Sequence, residues 1–421
     1  MDYLRLFLSN KRLLGFGMML TFFSGFGKTF MISLYIPDFL KEFQLSNTLF
    51  STLYAIATIG GGFMIIYLGR MIDRMRLKTY AILVTFGLIG SAVIIAFTHE
   101  VFFLLVGLLG LRLTGQGLMN HTSMTAMSKY FKRCRGKAIS ISTMGHSIGE
   151  GILPLITATT IAIFGWRNSL GFSAIFMALI LVPLTLSLLN KKPKACEEGL
   201  ESKKKRNKVK EDWTVSRILK DDAFYLMAPN FFIMPFIFTG LMFFMIPLGA
   251  YKGWTIEWMA YCFIGFAISN FFSAMITGHF IDKIKAIKLF PFYLLPMIIA
   301  ISIVIFFSAQ WAGMAYLILL GISVGMAVTT ESNVITEVYG IRNLGTVRSV
   351  FSFLAITGSA LGPLCMSILR DFGLRFESVL EISLILLAII SVNSLRKFPK
   401  KHHSIQTIWE IPKVMIFRKA S

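Results

Sequence analysis

A chain of 421 residues that is 55% hydrophobic, only 15% charged and carries 40 Phe cannot clothe a water-soluble globule, whose composition runs to about 25% charged residues. Its formal charge of +21 invites a nucleic-acid partner, but the basic residues collect in alternate gaps between apolar runs, as the positive-inside rule requires, and that excludes nucleic acid. The four Cys show neither a disulfide framework nor metal-ligand spacing, so no metal or cofactor is expected.

Apolar runs of about 20 residues, the length of a bilayer-crossing helix, place spans near 13–36, 48–68, 79–98, 101–125, 137–164, 168–189, 223–249, 256–278, 288–308, 311–337, 345–369 and 375–395. The expected fold is an all-α membrane protein of twelve transmembrane helices in two six-helix bundles. The organisation is a first bundle at 1–190, a cytoplasmic linker at 191–222, a second bundle at 223–395 and a cytoplasmic tail at 396–421. Segments on one side, with the span ends that adjoin them, hold 35 of the 42 Lys and Arg against five on the other, leaving Lys28 and Arg112 deep within spans. That asymmetry places both termini in the cytosol, in an inner or plasma membrane. The first apolar run is a full span and reads as retained, not as a cleaved leader. The linker, with Lys203-Lys204-Lys205-Arg206 and almost no apolar residue, reads as a mobile or surface-bound strap. The tail, interrupted by Pro412, is too short to span and reads as interfacial or solvated.

One signature occurs twice. Gly69-Arg70-Met-Ile-Asp73-Arg74 returns 209 residues later as Gly278-His-Phe-Ile-Asp282-Lys283, and Tyr130 with Tyr339 and Gly136 with Gly345 keep the same offset. Repetition at half the chain length marks two bundles related by duplication, a habit of secondary transporters. The two loop motifs, the six-plus-six pattern and Arg112-Leu-Thr-Gly-Gln116-Gly117 resemble the major facilitator superfamily, and Gly358-Ser-Ala-Leu-Gly362-Pro363 near Tyr339-Gly340 resembles its carboxylate-transporting branches. The chain departs from the family pattern at Arg76 and His279, and span 5 lacks the Gly-Pro pair of drug/proton antiporters.

The resemblance implies that Asp73, with Gly69, Arg70 and Arg74, latches onto the helix start near Gly345-Thr346, where a carboxylate meets the positive end of the dipole and free N–H groups. Gly278, Asp282 and Lys283 would do likewise at the start of span 5. It also implies that Gly60-Gly61-Gly62, Gly145 with Gly149, and Gly358 with Gly362 serve close, sliding contacts between the halves.

Ionisable groups at bilayer depth cost about 2.5–3.5 kcal/mol on insertion scales and usually face a cavity or a partner. Lys28, Arg112 and Glu150 fall about 15, 11 and 13 residues into their spans, so a rise of about 1.5 Å per residue sets all three near the midplane. Arg112, Gln116 and Asn120 form one stripe at helical spacing, and Ser142, His146 and Glu150 another. Two readings of this network stay open. Lys28 and Arg112 could attract an anion while Glu150 and His146 titrate or orient them, or Arg112 and Glu150 could form a permanent salt bridge with His146 simply hydrogen-bonded. Asn270 and Asn333 read as liners or helix-to-helix bonds, and Phe236, Phe243 and Phe244 as a pocket wall or packing.

No phosphate-binding loop or catalytic constellation is present, so an enzyme is not expected. The expected activity is proton-coupled secondary transport of a small organic anion such as a carboxylate, by a monomer whose partners are the solute, protons or another coupling ion, and the bilayer. Proton-driven efflux of hydrophobic or cationic drugs and a non-transporting sensor are the alternatives.

Overall fold

The computed structural model describes residues 3–69, 71–131, 135–189, 213–340 and 344–396. Ten helices among them are long and apolar enough to cross a membrane. The longest, Lys137–Leu188, holds two crossings folded at Gly165, whose φ of 77° is open to glycine without strain. Leu295–Phe306 is shorter, and the turn before it with Ala286–Leu289 completes that pass. The described residues therefore make twelve crossings.

In chain order these are span 1 at Lys11–Glu42, span 2 at Asn47–Leu68, span 3 at Leu77–Phe97, span 4 at Val101–Tyr130, and spans 5 and 6 at 137–164 and 166–188. Span 7 is Asp222–Phe243 continued by Met245–Tyr251, and span 8 is Ile256–Ile284. Span 9 covers 286–306, span 10 is Gln310–Tyr339, span 11 Leu344–Asp371 and span 12 Phe376–Ser394. Helix starts carry local signals where the chain re-enters: the Ser46 side chain accepts from Leu49 N–H, and Thr255 from Trp258 N–H.

Each half is tied at the face away from the termini. Arg167 donates to the carbonyls of Ala96 and Thr98 at 3.0 and 2.7 Å and to Glu42 at 2.8 Å, joining spans 1, 3 and 6. Glu377 accepts from Tyr251 at 2.7 Å and pairs with Lys252 at 3.3 Å, joining spans 7 and 12. Between the halves on this face, Asp371 at the end of span 11 accepts from Asn47 Nδ2 at 3.0 Å and Thr48 N–H at 2.8 Å, at the start of span 2. Phe243 packs across the same divide, its ring 5.7 Å from Phe50 and 5.4 Å from Tyr54. It is an inter-half packing residue, which the composition of span 7 alone did not distinguish from a pocket wall.

The glycines do different work from that expected. Added Cβ atoms at Gly145 and Gly149 would strike the backbone of span 1, and at Gly358 and Gly362 the backbone of span 7, each within one half. Gly62 does face the other half, where Ile356 of span 11 would lie 3.3 Å from its added Cβ. Most of these glycines thus cement each bundle instead of lubricating the divide, because that is where backbones cross without intervening side chains.

Arg70, residues 190–212, which include most of the linker, and residues 397–421 of the tail lie outside the described residues, as do the side chains of Asp73 and Asp282. Gly69 closes span 2 with its N–H on Ile65 O at 2.8 Å, and Arg74 and Lys283 are exposed. The end of the linker is seen against the second half: Ile218 is buried and Trp213 meets Tyr339 edge-on at 4.9 Å.

Candidate functional site

Span 1 is not one helix. A tight turn over Ser24–Gly27 ends its first part, Lys28 is extended at φ −83°, ψ 156°, and a new helix runs Thr29–Glu42. The break fits the sequence, because Gly27 leaves room for another backbone. An added Cβ there would meet Leu111 O and stand 2.5 Å from Gln116 N and 2.8 Å from Gly115 Cα. Span 4 is irregular at the same level, winding as a π-helix over Leu111–Met119; such stretches recur at functional sites.

Span 5 runs parallel to span 1 in fixed register. Gly145 and Gly149 lay bare backbone against Met18 and Phe22. Ser24 Oγ then meets His146 Nδ1 at 3.2 Å, and one turn on, Lys28 Nζ donates to Glu150 Oε1 at 2.7 Å; both pairs are 122 residues apart. The ion pair is buried unevenly, with 24% of the Lys28 side chain exposed against 8% of Glu150. The second carboxylate oxygen, Oε2, accepts from Asn270 Nδ2 of span 8 at 3.1 Å.

Arg112 is 4% exposed. Its Nε donates to Thr58 Oγ1 at 3.0 Å, and Nη1 reaches Gly27 O at 3.3 Å and Thr29 Oγ1 at 3.5 Å. The guanidinium carbon lies 4.8 Å from the centre of the Tyr54 ring, whose hydroxyl is 2.6 Å from Thr29 Oγ1. All these partners are neutral, and no carboxylate among the described residues pairs with Arg112. It grips the chain on both sides of Lys28, so two cations and one carboxylate share the break. The local sum is one positive charge.

Lys28, Arg112 and Glu150 thus gather at one level of the bundle, around the break in span 1, but paired differently from the sequence expectation. The salt bridge considered between Arg112 and Glu150 does not form; Lys28 takes Glu150, because the fixed register of spans 1 and 5 sets them opposite each other. Nor is the polar stripe of span 4 continuous. The π-helical winding turns Arg112 toward spans 1 and 2, leaves Gln116 exposed without a hydrogen-bond partner among the described residues, and sets Asn120 Oδ1 3.3 Å from His146 Nε2. Both ring nitrogens of His146 are therefore engaged. Asn333 bonds its own helix at Thr329 O, 2.8 Å away, while Glu331 accepts from buried Tyr293 at 3.0 Å inside the second half. Thr29, Tyr54 and Thr58 were not singled out from sequence. Neutral hydroxyls carry no signal of their own; the glycines flanking Phe26 are the sequence feature from which the break they support could have been found.

Arg112→Lys is expected to lower stability by roughly 1–3 kcal/mol, since an ammonium cannot span Thr58 and Gly27 O together or lie flat over Tyr54. A melting curve in detergent checks it; a wild-type midpoint would show that charge alone matters here.

The family model described as Major Facilitator Superfamily matches residues 17–406. Riboflavin transporter RibJ of Trypanosoma brucei brucei is 30% identical over 80 residues, 19% of this chain and 15% of that protein. Human monocarboxylate transporter 6 is 28% identical over 154 residues, 35% of this chain and 29% of that one. These alignments thus span less than a third of either relative. Among solved structures, a bacterial homologue of the human lysosomal transporter Spinster, inward-facing and unoccupied, aligns with a TM-score of 0.68 at 15% identity over 91% of this chain and 96% of that one. Its occupied form gives a TM-score of 0.68 at 16% identity over 94% and 97%.

Proposed function

The chain belongs to the Major Facilitator Superfamily, a multi-pass membrane transporter and not an enzyme, and from that premise we propose that it carries a small organic anion, a monocarboxylate in the first instance. The observation behind this reading is the charge sum at the break in span 1: Lys28 and Arg112 against Glu150 alone. A buried guanidinium with only neutral partners is costly at bilayer depth, and an anionic solute offsets it. A carboxylate entering the site competes with Glu150 for Lys28, the more exposed member of the pair, while Arg112 keeps the local field positive.

Proton coupling in this reading runs through Glu150 and His146, two titratable groups of span 5 that touch span 1. The protein is a monomer of the inner or plasma membrane with both termini in the cytosol, and Asp73 and Asp282 latch the cytoplasmic face. The partial similarity to a monocarboxylate transporter supports the solute class.

The test is uptake into proteoliposomes of lactate, pyruvate, riboflavin and a lipophilic cation, with and without a proton gradient. Carboxylate uptake that vanishes in Lys28→Gln is the expected result. Flux of the lipophilic cation alone, untouched by that substitution, would replace this reading with drug efflux. Binding without flux would make the protein a sensor.

Alternating access also requires the opposite face to release. Asp371 there caps the start of span 2 from the other half, and a charged cap is worth about 0.5–2 kcal/mol. Asp371→Asn is therefore expected to shift the balance toward opening of that face, read as a longer distance between spin labels at Lys41 and Phe372. An unchanged distance would show the cap to be ornamental.

A further inference from the structure

We propose that Asn270 is the positioning residue by which the second half senses occupancy of the charged site in the first. This inference rests on the reading of Lys28 as the contact for the anion. Glu150 divides its two oxygens between the halves: Oε1 takes Lys28 of its own half at 2.7 Å, and Oε2 takes Asn270 of the other at 3.1 Å. It is buried enough, at 8% exposure, that water does not substitute freely for either partner.

Asn270 is held firmly from behind. Gly321 and Gly325 bring span 10 onto the backbone of span 8 at this residue; an added Cβ at Gly321 would stand 3.2 Å from Asn270 N, and one at Gly325 would strike Asn270 O. Ser273 Oγ donates to Ile322 O at 2.7 Å and Thr329 Oγ1 to Ala274 O at 3.3 Å, stitching the two spans further. Spans 8 and 10 therefore move together, and the Asn270 amide is their reach across the divide.

The contact belongs to a patch with helical spacing. Phe263, Ala267 and Asn270 share one face of span 8. Phe263 meets Phe30 with ring centres 5.5 Å apart, Ala267 Cβ lies 3.4 Å from an added Cβ at Gly151, and Asn270 binds Glu150. The charged and titratable groups around Glu150 are Lys28 on span 1, His146 one turn earlier on span 5, and Arg112 of span 4 against residues 27 and 29. Span 8 contributes the neutral amide of Asn270.

The consequence follows from sharing one carboxylate. When a solute anion draws Lys28 away, the charge of Glu150 is no longer divided, and its hydrogen bond to Asn270 becomes the stronger charge-assisted contact. Loading the site thus tightens the junction between the halves at the midplane, and unloading relaxes it.

The experiment uses the purified full-length protein with spin labels at Lys41 and Phe372, first without ligand. Asn270→Ala is expected to raise the ratio of open to closed populations roughly tenfold, the worth of one hydrogen bond to a charged group. Asn270→Asp, which sets a like charge beside Glu150, is expected to raise it further, and Asn270→Gln, which keeps the amide, to bring it back toward wild type. In a Glu150→Gln background, where the acceptor is a neutral amide, the effect of Asn270→Ala should shrink and the extra penalty of Asn270→Asp should disappear. No change in Asn270→Ala, or the same change with and without the Glu150 charge, overturns the proposal, because a merely structural residue would act independently of that charge. In a second arm, pyruvate should narrow the wild-type distribution and leave Asn270→Ala unmoved; a narrowing of equal size in both overturns it as well. Should no carboxylate bind at all, the organic-anion reading fails while the ligand-free arm still decides whether Asn270 acts through Glu150.

Discussion

Replacing Lys28 by Gln is expected to abolish anion binding and also to destabilise the protein by about 3–5 kcal/mol, the usual effect of breaking a buried pair from one side. The second effect comes from Glu150, which is 8% exposed and would retain Asn270 but no cation. Removing both charges, as Lys28→Gln with Glu150→Gln, leaves two amides of similar size that can bond to each other. Stability should then return to within about 1 kcal/mol of wild type, while binding should not return. Glu150→Gln alone leaves two cations without a carboxylate, so anion affinity should rise even as the fold weakens. Melting curves in detergent and pyruvate binding to purified protein separate the two quantities. Normal pyruvate binding by the double variant would remove Lys28 from the site altogether.

What the sequence reveals and what it conceals divide along a physical line. Span number, charge asymmetry and the duplicated loop motif are legible because a bilayer punishes polar backbone and stray charge at every residue of a crossing. The common level of Lys28, Arg112 and Glu150 along the bundle is legible too, since helical rise converts residue count into height. Azimuth is not. Which side chain Arg112 faces depends on the winding of span 4, and an α-helical count along Arg112, Gln116 and Asn120 fails once nine residues adopt π geometry. The pairing of Lys28 with Glu150 depends on a register between spans 1 and 5 that Gly145 and Gly149 set through backbone contact. Glycines do announce close approach, but not to which neighbour. That is also why Gly358 and Gly362 look like hinge material from sequence and turn out to seat span 7.

The crossing of span 1 over span 4 yields the second large effect. Gly27→Val is expected to disable the protein without altering any charged or polar side chain. A Cβ at Gly27 finds Leu111 O, Gln116 N at 2.5 Å and Gly115 Cα at 2.8 Å, all of them backbone, so no flexible side chain can yield. Overpacking in a core typically costs about 1–3 kcal/mol where side chains can shift; here the two spans themselves must separate. Separation would carry Gly27 O away from Arg112 Nη1, now 3.3 Å apart, and turn Lys28 out of register with Glu150. Gly27→Ala should therefore weaken pyruvate binding at least tenfold for each roughly 1.4 kcal/mol of displaced contact, with a lowered melting midpoint. Gly15→Ala and Gly90→Ala are the matched controls. Nothing lies within 4 Å of an added Cβ at either position, and alanine favours helix over glycine by about 1 kcal/mol, so both should melt at or above the wild-type temperature. If Gly27→Ala behaved like these controls, the break in span 1 would owe nothing to its contact with span 4, and the placement of all three charges would need another cause.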